Sequence, residues 1–365
     1  MRIHHYKTYT YTLTLSRRLP IGEEGLSERR GHILELWDNA EHVGRGDVAP
    51  LPGFSEEDAN KAMEELSFMS YALSDHVPDP ALAALDGSLE KLLSPHNLCP
   101  SVQFGVEAAL LGLMASAGGG SLARLIAPDS GDTIPICGLV AGERETAAER
   151  AAMLREKGFT AVKLKVGGEP QRAAELAKAV RETLGDDVAL RLDANCEWDY
   201  DDALVFCKAV AGLNVDYLEE PLASPLGVLQ LSQASGVPMA LDETLLNLYP
   251  EVLSNWEGIR AIVLKPTLLG GVEKTIRFAR EARGLGVKPV LSASYESGVG
   301  LSILANLAAA ADPDPAPAGL DTYDWLAEDI LAERLPSPVP QWDVNEINRL
   351  AADVGYTAMA HHTPE

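Results

Sequence analysis

From about residue 132 the chain settles into an alternation that few folds accommodate. Short β-rich runs (IPICGLV, AVKLKV, VALRLDAN, VDYLEEPL, VPMALDET, IRAIVLKP, VKPVLSAS) are separated by amphipathic stretches such as ERETAAERAAMLREKG, EPQRAAELAKAVRETLG and GVEKTIRFAREARGLG. Strands alternating with helices of this length build βαβ units and hence a parallel sheet. Seven to eight such units over about 190 residues suit a closed barrel, a modified TIM barrel of (β/α)7β type, better than an open sheet. The fold class is therefore α/β for this part, with an α+β region before it.

The preceding residues obey a different rule. Tyr9, Tyr11, Leu13 and Leu15 alternate like a strand, HILELWDN reads as a second, and SVQFGVEAALLGLMA as a buried helix. Ser55, followed by acidic residues, is expected to cap a helix. The boundaries fall at 1–130 for the α+β part, 131–325 for the barrel, and 326–365 for a Pro-containing tail that leaves the barrel to pack elsewhere.

Composition narrows the function. A formal charge of −24 excludes the basic face that nucleic acids require and describes a solvated acidic surface. No apolar run reaches the roughly 18 residues of a membrane helix, and the opening lacks the apolar segment of a secretory signal. Cys99, Cys137, Cys196 and Cys207 form no CxxC pair, which argues against a zinc site or a disulfide framework. A cytoplasmic protein with a small-molecule partner, without nucleic acid or membrane, is the expectation; the oligomeric state stays open.

Polar residues recur at one place in each unit, the end of the strand. Lys163 and Lys165 end the second, Asp193 and Asn195 the third, Glu219 and Glu220 the fourth, Asp242 and Glu243 the fifth, Lys265 the sixth. Ser292, Ser294 and Glu296 end the seventh. In a barrel these ends converge on the face where active sites are built. Carboxylates from three strands suit a hard octahedral cation, Mg²⁺ with Mn²⁺ as its substitute, and the His or Cys ligands of zinc are missing there. Such a cation can stabilise the dianion left when a proton α to a carboxylate departs, and lysines beside it can act as base, acid or electrostatic stabiliser.

KLK, LDAN, LEEP, LDET and VLKP, in that order, resemble the enolase superfamily, muconate-cycloisomerase-like subgroup. The handling of an enediolate by a Lys base and Mg²⁺ is a known pattern of that superfamily. APLPGFS (49–55), SVQFGVEAALLGL (101–113), VLKPTLLGG (263–271), SASYESGVG (292–300) and GLDTYDWL (319–326) are most similar to its o-succinylbenzoate synthase family. The resemblance implies that the first part caps the barrel mouth, with the tail packing back toward it. It also implies Mg²⁺-dependent syn-dehydration of a succinyl-hydroxycyclohexadiene carboxylate, a lyase reaction of menaquinone biosynthesis.

On that likeness Asp193, Glu219 and Asp242 ligate the metal and Lys165 is the base that later protonates the departing hydroxyl. Lys265 stabilises the enediolate from the opposite face, and Lys163 balances charge. Asn195 and Glu243 support these groups, with Glu243 a partner for Lys265, and Ser292 and Ser294 receive the succinyl tail. Arg30, in LPIGEEGLSERR, belongs to a lid, with APLPGFS as a second loop over the substrate. Two alternatives stay open: an N-acylamino acid racemase or dipeptide epimerase on the same scaffold, and a non-catalytic barrel. Against the former, SASYES replaces the racemases' GGM-type stretch, and DTYD (321–324) lacks the epimerases' Asp-x-Asp spacing. None of the eight histidines falls at a barrel strand end, and Trp198 is expected to pack rather than stack on substrate.

Overall fold

The computed structural model describes residues 1–21, 25–256, 258–356 and 359–362. Its first part is an antiparallel sheet of β1 (Ile3–Leu19), β2 (Leu26–Asp38) and β3 (Val43–Val48), joined at the outer edge by β13 (Ala360–His362) from the tail, in the order β13-β1-β2-β3. The alternation in β1 buries Tyr9, Tyr11, Leu13 and Leu15 on one face, as a half-covered strand requires. Behind the sheet lie α1 (Ala59–Ala72), α2 (Ser88–Leu93), α3 (Pro100–Ala117) and α4 (Leu122–Ile126).

The apolar α3 lies almost backbone-to-backbone on β3. Two glycines permit this: a Cβ on Gly44 would stand 2.0 Å from the Ala109 carbonyl oxygen, and one on Gly46 only 1.8 Å from that of Gly105. Helix α1 begins later than the sequence suggested. Asp58 is its cap, accepting from the Lys61 N–H, whereas the Ser55 hydroxyl accepts from the Leu51 N–H and closes the preceding loop.

After β4 (Thr133–Pro135) comes the parallel sheet of β5 (Gly138–Val140), β6 (Ala161–Lys165), β7 (Ala189–Asp193), β8 (Val215–Glu219), β9 (Met239–Leu241), β10 (Ala261–Leu264) and β11 (Lys288–Leu291), each beside its sequence neighbour. Helices α5 (Arg144–Glu156), α6 (Pro170–Leu184), α7 (Tyr200–Val210), α8 (Val228–Ser235), the one-turn α9 (Pro266–Leu269), α10 (Val272–Gly284) and α11 (Gly298–Ala311) cover it. One crossover departs from the regular pattern. Between β9 and β10 the chain makes two 3₁₀ turns, Glu243–Asn247 and Pro250–Trp256, because Pro250 denies a longer helix its backbone donor. The eighth stave is reduced to Ala318 and Gly319, which bridge in parallel to Ile136 and Ser292 and so close the barrel.

The tail adds β12 (Gln341–Asp343), antiparallel to β4, then α12 (Val344–Ala352) against α11. The two parts also exchange hydrogen bonds at helix starts, where free N–H groups need acceptors. Glu107 of α3 accepts from the Glu273 N–H at the start of α10 (2.8 Å). The Glu273 carboxylate in turn accepts from Gly87, Leu89 and Glu90 N–H at the start of α2 (3.0, 3.3 and 2.7 Å). Asp47 of β3 accepts from both the N–H and the hydroxyl of Ser297, which opens α11 (3.0 and 2.7 Å). Among the described residues, no helix is long and apolar enough to cross a membrane.

Candidate active site

Register places the chemistry. Lys165 of β6, Asp193 of β7 and Glu219 of β8 stand side by side, and the rung below holds Lys163, Arg191 and Tyr217. Because side chains two apart on a strand share a face, both rungs point into the barrel. Asp242 follows β9 and Lys265 follows β10, completing an arc of three carboxylates with a lysine at each end.

Lys163 Nζ lies 2.9 Å from Asp193 Oδ2 and donates to Glu219 Oε1 at 3.0 Å. Lys165 Nζ donates to Asp193 Oδ2 at 2.6 Å and to Asn195 Oδ1 at 2.8 Å. On the far side Lys265 donates to Asp242, with Glu243 at 3.8 Å. Asp242 is thus the nearer partner of Lys265, ahead of Glu243. Asp193, Glu219 and Asp242 are buried, whereas Lys165 keeps a third of its side chain exposed toward the mouth.

The neighbouring carboxylates divide their tasks. Glu220 turns away from the lysines and accepts from the N–H of Asp242 and Thr244 (both 2.8 Å) and the Thr244 hydroxyl (3.0 Å), fixing the turn after β9. Asn195 (φ 47°), Cys196 (φ 61°) and Glu220 (φ 38°) all sit in the left-handed region just beyond the strand ends. Clustered backbone strain of this kind is characteristic of functional sites.

Charge and burial oppose each other here. Burial pushes the Asp193 carboxyl up, but Lys163 and Lys165 outweigh it and hold it well below the usual range. Glu219 is pushed up by burial and by the charge of Asp193, against the pull of Lys163. Burial raises Asp242 to about 6 despite Lys265. Lys163 and Lys265 are both raised, burial notwithstanding, by the carboxylates they face. Asp193, Glu219 and Asp242 each carry a carboxylate paired with one or more of Lys163, Lys165 and Lys265. Their all-oxygen donor set would suit a hard divalent cation. Cys196, Glu220 and Glu243 also bring candidate ligand atoms within 4.8 Å of one another. That group offers a thiol, and Glu220 is already engaged by three donors, so it suits a hard cation less well.

A cavity of about 710 Å³ opens over the lysines and runs down inside the barrel. Lys163, Lys165, Asn195, Glu219, Lys265, Ser292 and Ser294 line it, while Asp193 and Asp242 lie behind, bonded to the lysines. Leu19, Pro20 and Ile21 from the first hairpin, and Leu51, Gly53 and Phe54 from the loop after β3, form its roof. Residues 22–24 of the expected lid lie outside the described residues. Arg30 does not join the site: strand alternation leaves it exposed, and Arg29 is the buried neighbour. Trp198 packs on Phe206 (ring centroids 4.5 Å apart) and donates to the Gly168 carbonyl, away from substrate space.

Sequence reasoning missed Arg191, Tyr217, Asp321 and Arg29. The first two were within reach, since Arg191 precedes Asp193 by two residues and Tyr217 precedes Glu219 by two. Arg191 is buried, donates to Asp216 at 3.2 Å and to the Pro317 carbonyl at 2.6 Å, and lies 5.1 Å from the Tyr217 ring centre. Asp321 is held by Arg150 and the Leu139 N–H (both 2.8 Å), and burial raises it to about 6.

Residues 145–354 match the model of the family described as enolase C-terminal domain-like, and residues 3–113 that of the MenC N-terminal domain. An o-succinylbenzoate synthase from Aliivibrio salmonicida is 35% identical over 345 residues, covering 93% of this chain and 94% of that protein. The chain belongs to the o-succinylbenzoate synthase family of the enolase superfamily. Protein PHYLLO, chloroplastic, from Arabidopsis thaliana is 31% identical across 89% of the chain, which spans only 21% of that longer protein. The fold extends beyond the synthases. The L-Ala-D/L-Glu epimerase from Bacillus subtilis superposes with a TM-score of 0.82 at 21% identity, covering 93% of this chain and 96% of that one. Members of the synthase family and that epimerase therefore share one architecture, and specificity must be sought in cavity walls rather than in the barrel.

Proposed function

We propose that this chain is an o-succinylbenzoate synthase, removing water from 2-succinyl-6-hydroxy-2,4-cyclohexadiene-1-carboxylate to give 2-succinylbenzoate in menaquinone biosynthesis. The observation that carries the reading is the placement of two lysines, Lys165 and Lys265, on opposite sides of one buried carboxylate arc within a single cavity. Membership of the synthase family supplies the choice of substrate.

Asp193, Glu219 and Asp242 would hold Mg²⁺, or Mn²⁺ in its place, which when bound stabilises the negative charge gathering on the substrate carboxylate. Lys165, the more exposed of the lysines and steadied by Asn195, takes the proton α to the ring carboxylate. The C–H pair becomes a ring double bond, the C–O bond breaks, and the same lysine gives that proton to the leaving hydroxyl, so that proton and hydroxyl depart from the same face of the ring as water. Lys265, raised by Asp242 and Glu243, stays an ammonium and stabilises the enediolate from the other side. Lys163 offsets Asp193 and Glu219, and Ser292 and Ser294 receive the succinyl tail.

The test is direct assay of 2-succinylbenzoate with and without Mg²⁺. Formation that depends on the metal supports the reading; turnover that persists in chelator overturns the metal's part in it. Rapid exchange of the α-proton of N-succinyl amino acids in D₂O, without synthase activity, would assign the site to a racemase instead.

A further inference from the structure

Arg29 is buried to 1% exposure, and although the Asp47 and Glu296 carboxylates lie near enough to act on its charge, neither accepts a hydrogen bond from it. Among the described residues, its hydrogen bonds go to main-chain carbonyls. Nη1 donates to Pro50 (2.8 Å), Nη2 to Ala49 (2.9 Å) and Ser294 (3.3 Å), and Nε to Tyr295 (3.2 Å). A buried guanidinium is costly to desolvate, and folds that tolerate one generally use its planar fork to fix geometry.

The four carbonyls belong to two segments that both build the cavity. Ala49 and Pro50 lead into the loop that carries Leu51 and Phe54, whose ring centre lies 5.9 Å from Lys265 Nζ. Ser294 and Tyr295 form the turn after β11. There Tyr295 adopts φ 62°, a region non-glycine residues rarely enter, and the Ser294 hydroxyl is buried with no hydrogen-bond partner. Ser294 lines the cavity while its hydroxyl oxygen is enclosed without a partner, so the position of this turn decides whether that group can turn toward a ligand.

We infer that Arg29 is a positioning residue for substrate recognition: it clamps the loop carrying Phe54 to the turn carrying Ser294 and so sets the shape of the wall they build. It touches neither the lysines nor the carboxylate arc. This inference rests on the synthase reading above, and its test separates the two.

Arg29→Lys and Arg29→Met are compared with the natural chain for kcat, KM, apparent Mg²⁺ affinity, far-UV circular dichroism and melting. A misplaced wall should lower kcat/KM on the order of 10²-fold, mostly through KM, with Mg²⁺ affinity unchanged. Phe54→Ala should cost less in the Arg29→Lys background than alone, because the ring is already displaced. A merely structural role predicts unchanged constants per folded molecule with a lower melting temperature, and additive effects with Phe54→Ala. Either result overturns the inference. If neither Arg29 variant folds, Ser294→Ala and Phe54→Ala are combined: coupled losses in KM support the clamp and additive ones overturn it. If the natural chain makes no 2-succinylbenzoate, the synthase reading fails, and α-proton exchange of N-succinyl amino acids becomes the readout for the same variants.

Discussion

Glu107→Gln tests how the two parts of the molecule are held together. The Glu107 carboxylate is fully buried and accepts from the Glu273 N–H and from Gln103 Nε2 (2.8 and 2.9 Å). Burial, reinforced by the nearby Glu273 and only partly offset by these donors, raises its pKa from 4.5 to about 7. The folded protein therefore holds this proton more tightly than the unfolded chain does. Stability from this group is complete below the unfolded value of about 4.5 and is lost as pH rises through about 7. At about 1.4 kcal/mol for each tenfold difference in proton affinity, the loss amounts to about 3 kcal/mol. Glutamine cannot ionise, so the variant escapes it while giving up part of one acceptor. Urea unfolding of both proteins from about pH 5 to about pH 9 should show their stability difference moving by about 3 kcal/mol in favour of glutamine. Taking that difference cancels the titrating groups that do not interact with Glu107. A difference that stays constant with pH would refute the assignment of a buried, titrating Glu107.

Other outcomes are expected at the site and beneath it. Lys265→Ala should lower kcat on the order of 10²–10³-fold, and Lys265→Arg, which keeps a cation facing Asp242, should lose less; equal losses in steady-state assays would contradict an electrostatic role. Asp193→Asn removes the charge shared by Lys163 and Lys165, and should abolish Mg²⁺-dependent turnover while the circular dichroism spectrum is retained. Gly46→Ala puts a methyl 1.8 Å from the Gly105 carbonyl oxygen. It should destabilise by about 3 kcal/mol or more in urea, because neither backbone can yield without parting β3 from α3.

The parallel barrel and the ordered lysines and carboxylates were legible because each strand end repeats one signal in phase with the fold. What the sequence left open was parity. Nothing in LEEP says which glutamate faces inward; that is decided by the register of Glu219 against Asp193 and by the three donors that claim Glu220. The same ambiguity led to Arg30 rather than Arg29, since the register of β2 is fixed by a partner strand across a hairpin. Ser55 carried the right residue type for a cap three places too early, and local propensity could not tell it from Asp58. Glu107 and Glu273 read as ordinary polar positions of their helices, because their partners lie far away in the chain. The closing stave went unseen for a simpler reason: Ala318 and Gly319 are too few to make a hydrophobic run.

That short stave gives the barrel an uneven stiffness. Five adjoining staves, β6 to β10, carry the lysines and carboxylates, and cross-strand charge pairs hold them besides the ladder. The seam at Ala318 and Gly319 is stitched by four main-chain hydrogen bonds, from Cys137, Ala293, Ala318 and Gly319. Those four amides should exchange with solvent as one group, ahead of the ladder on either side, as the lowest-energy opening of the hoop. The seam adjoins Ser292, so the half of the site proposed to recognise substrate can breathe, and over evolutionary time be recut, while the half proposed to move the proton stays in place.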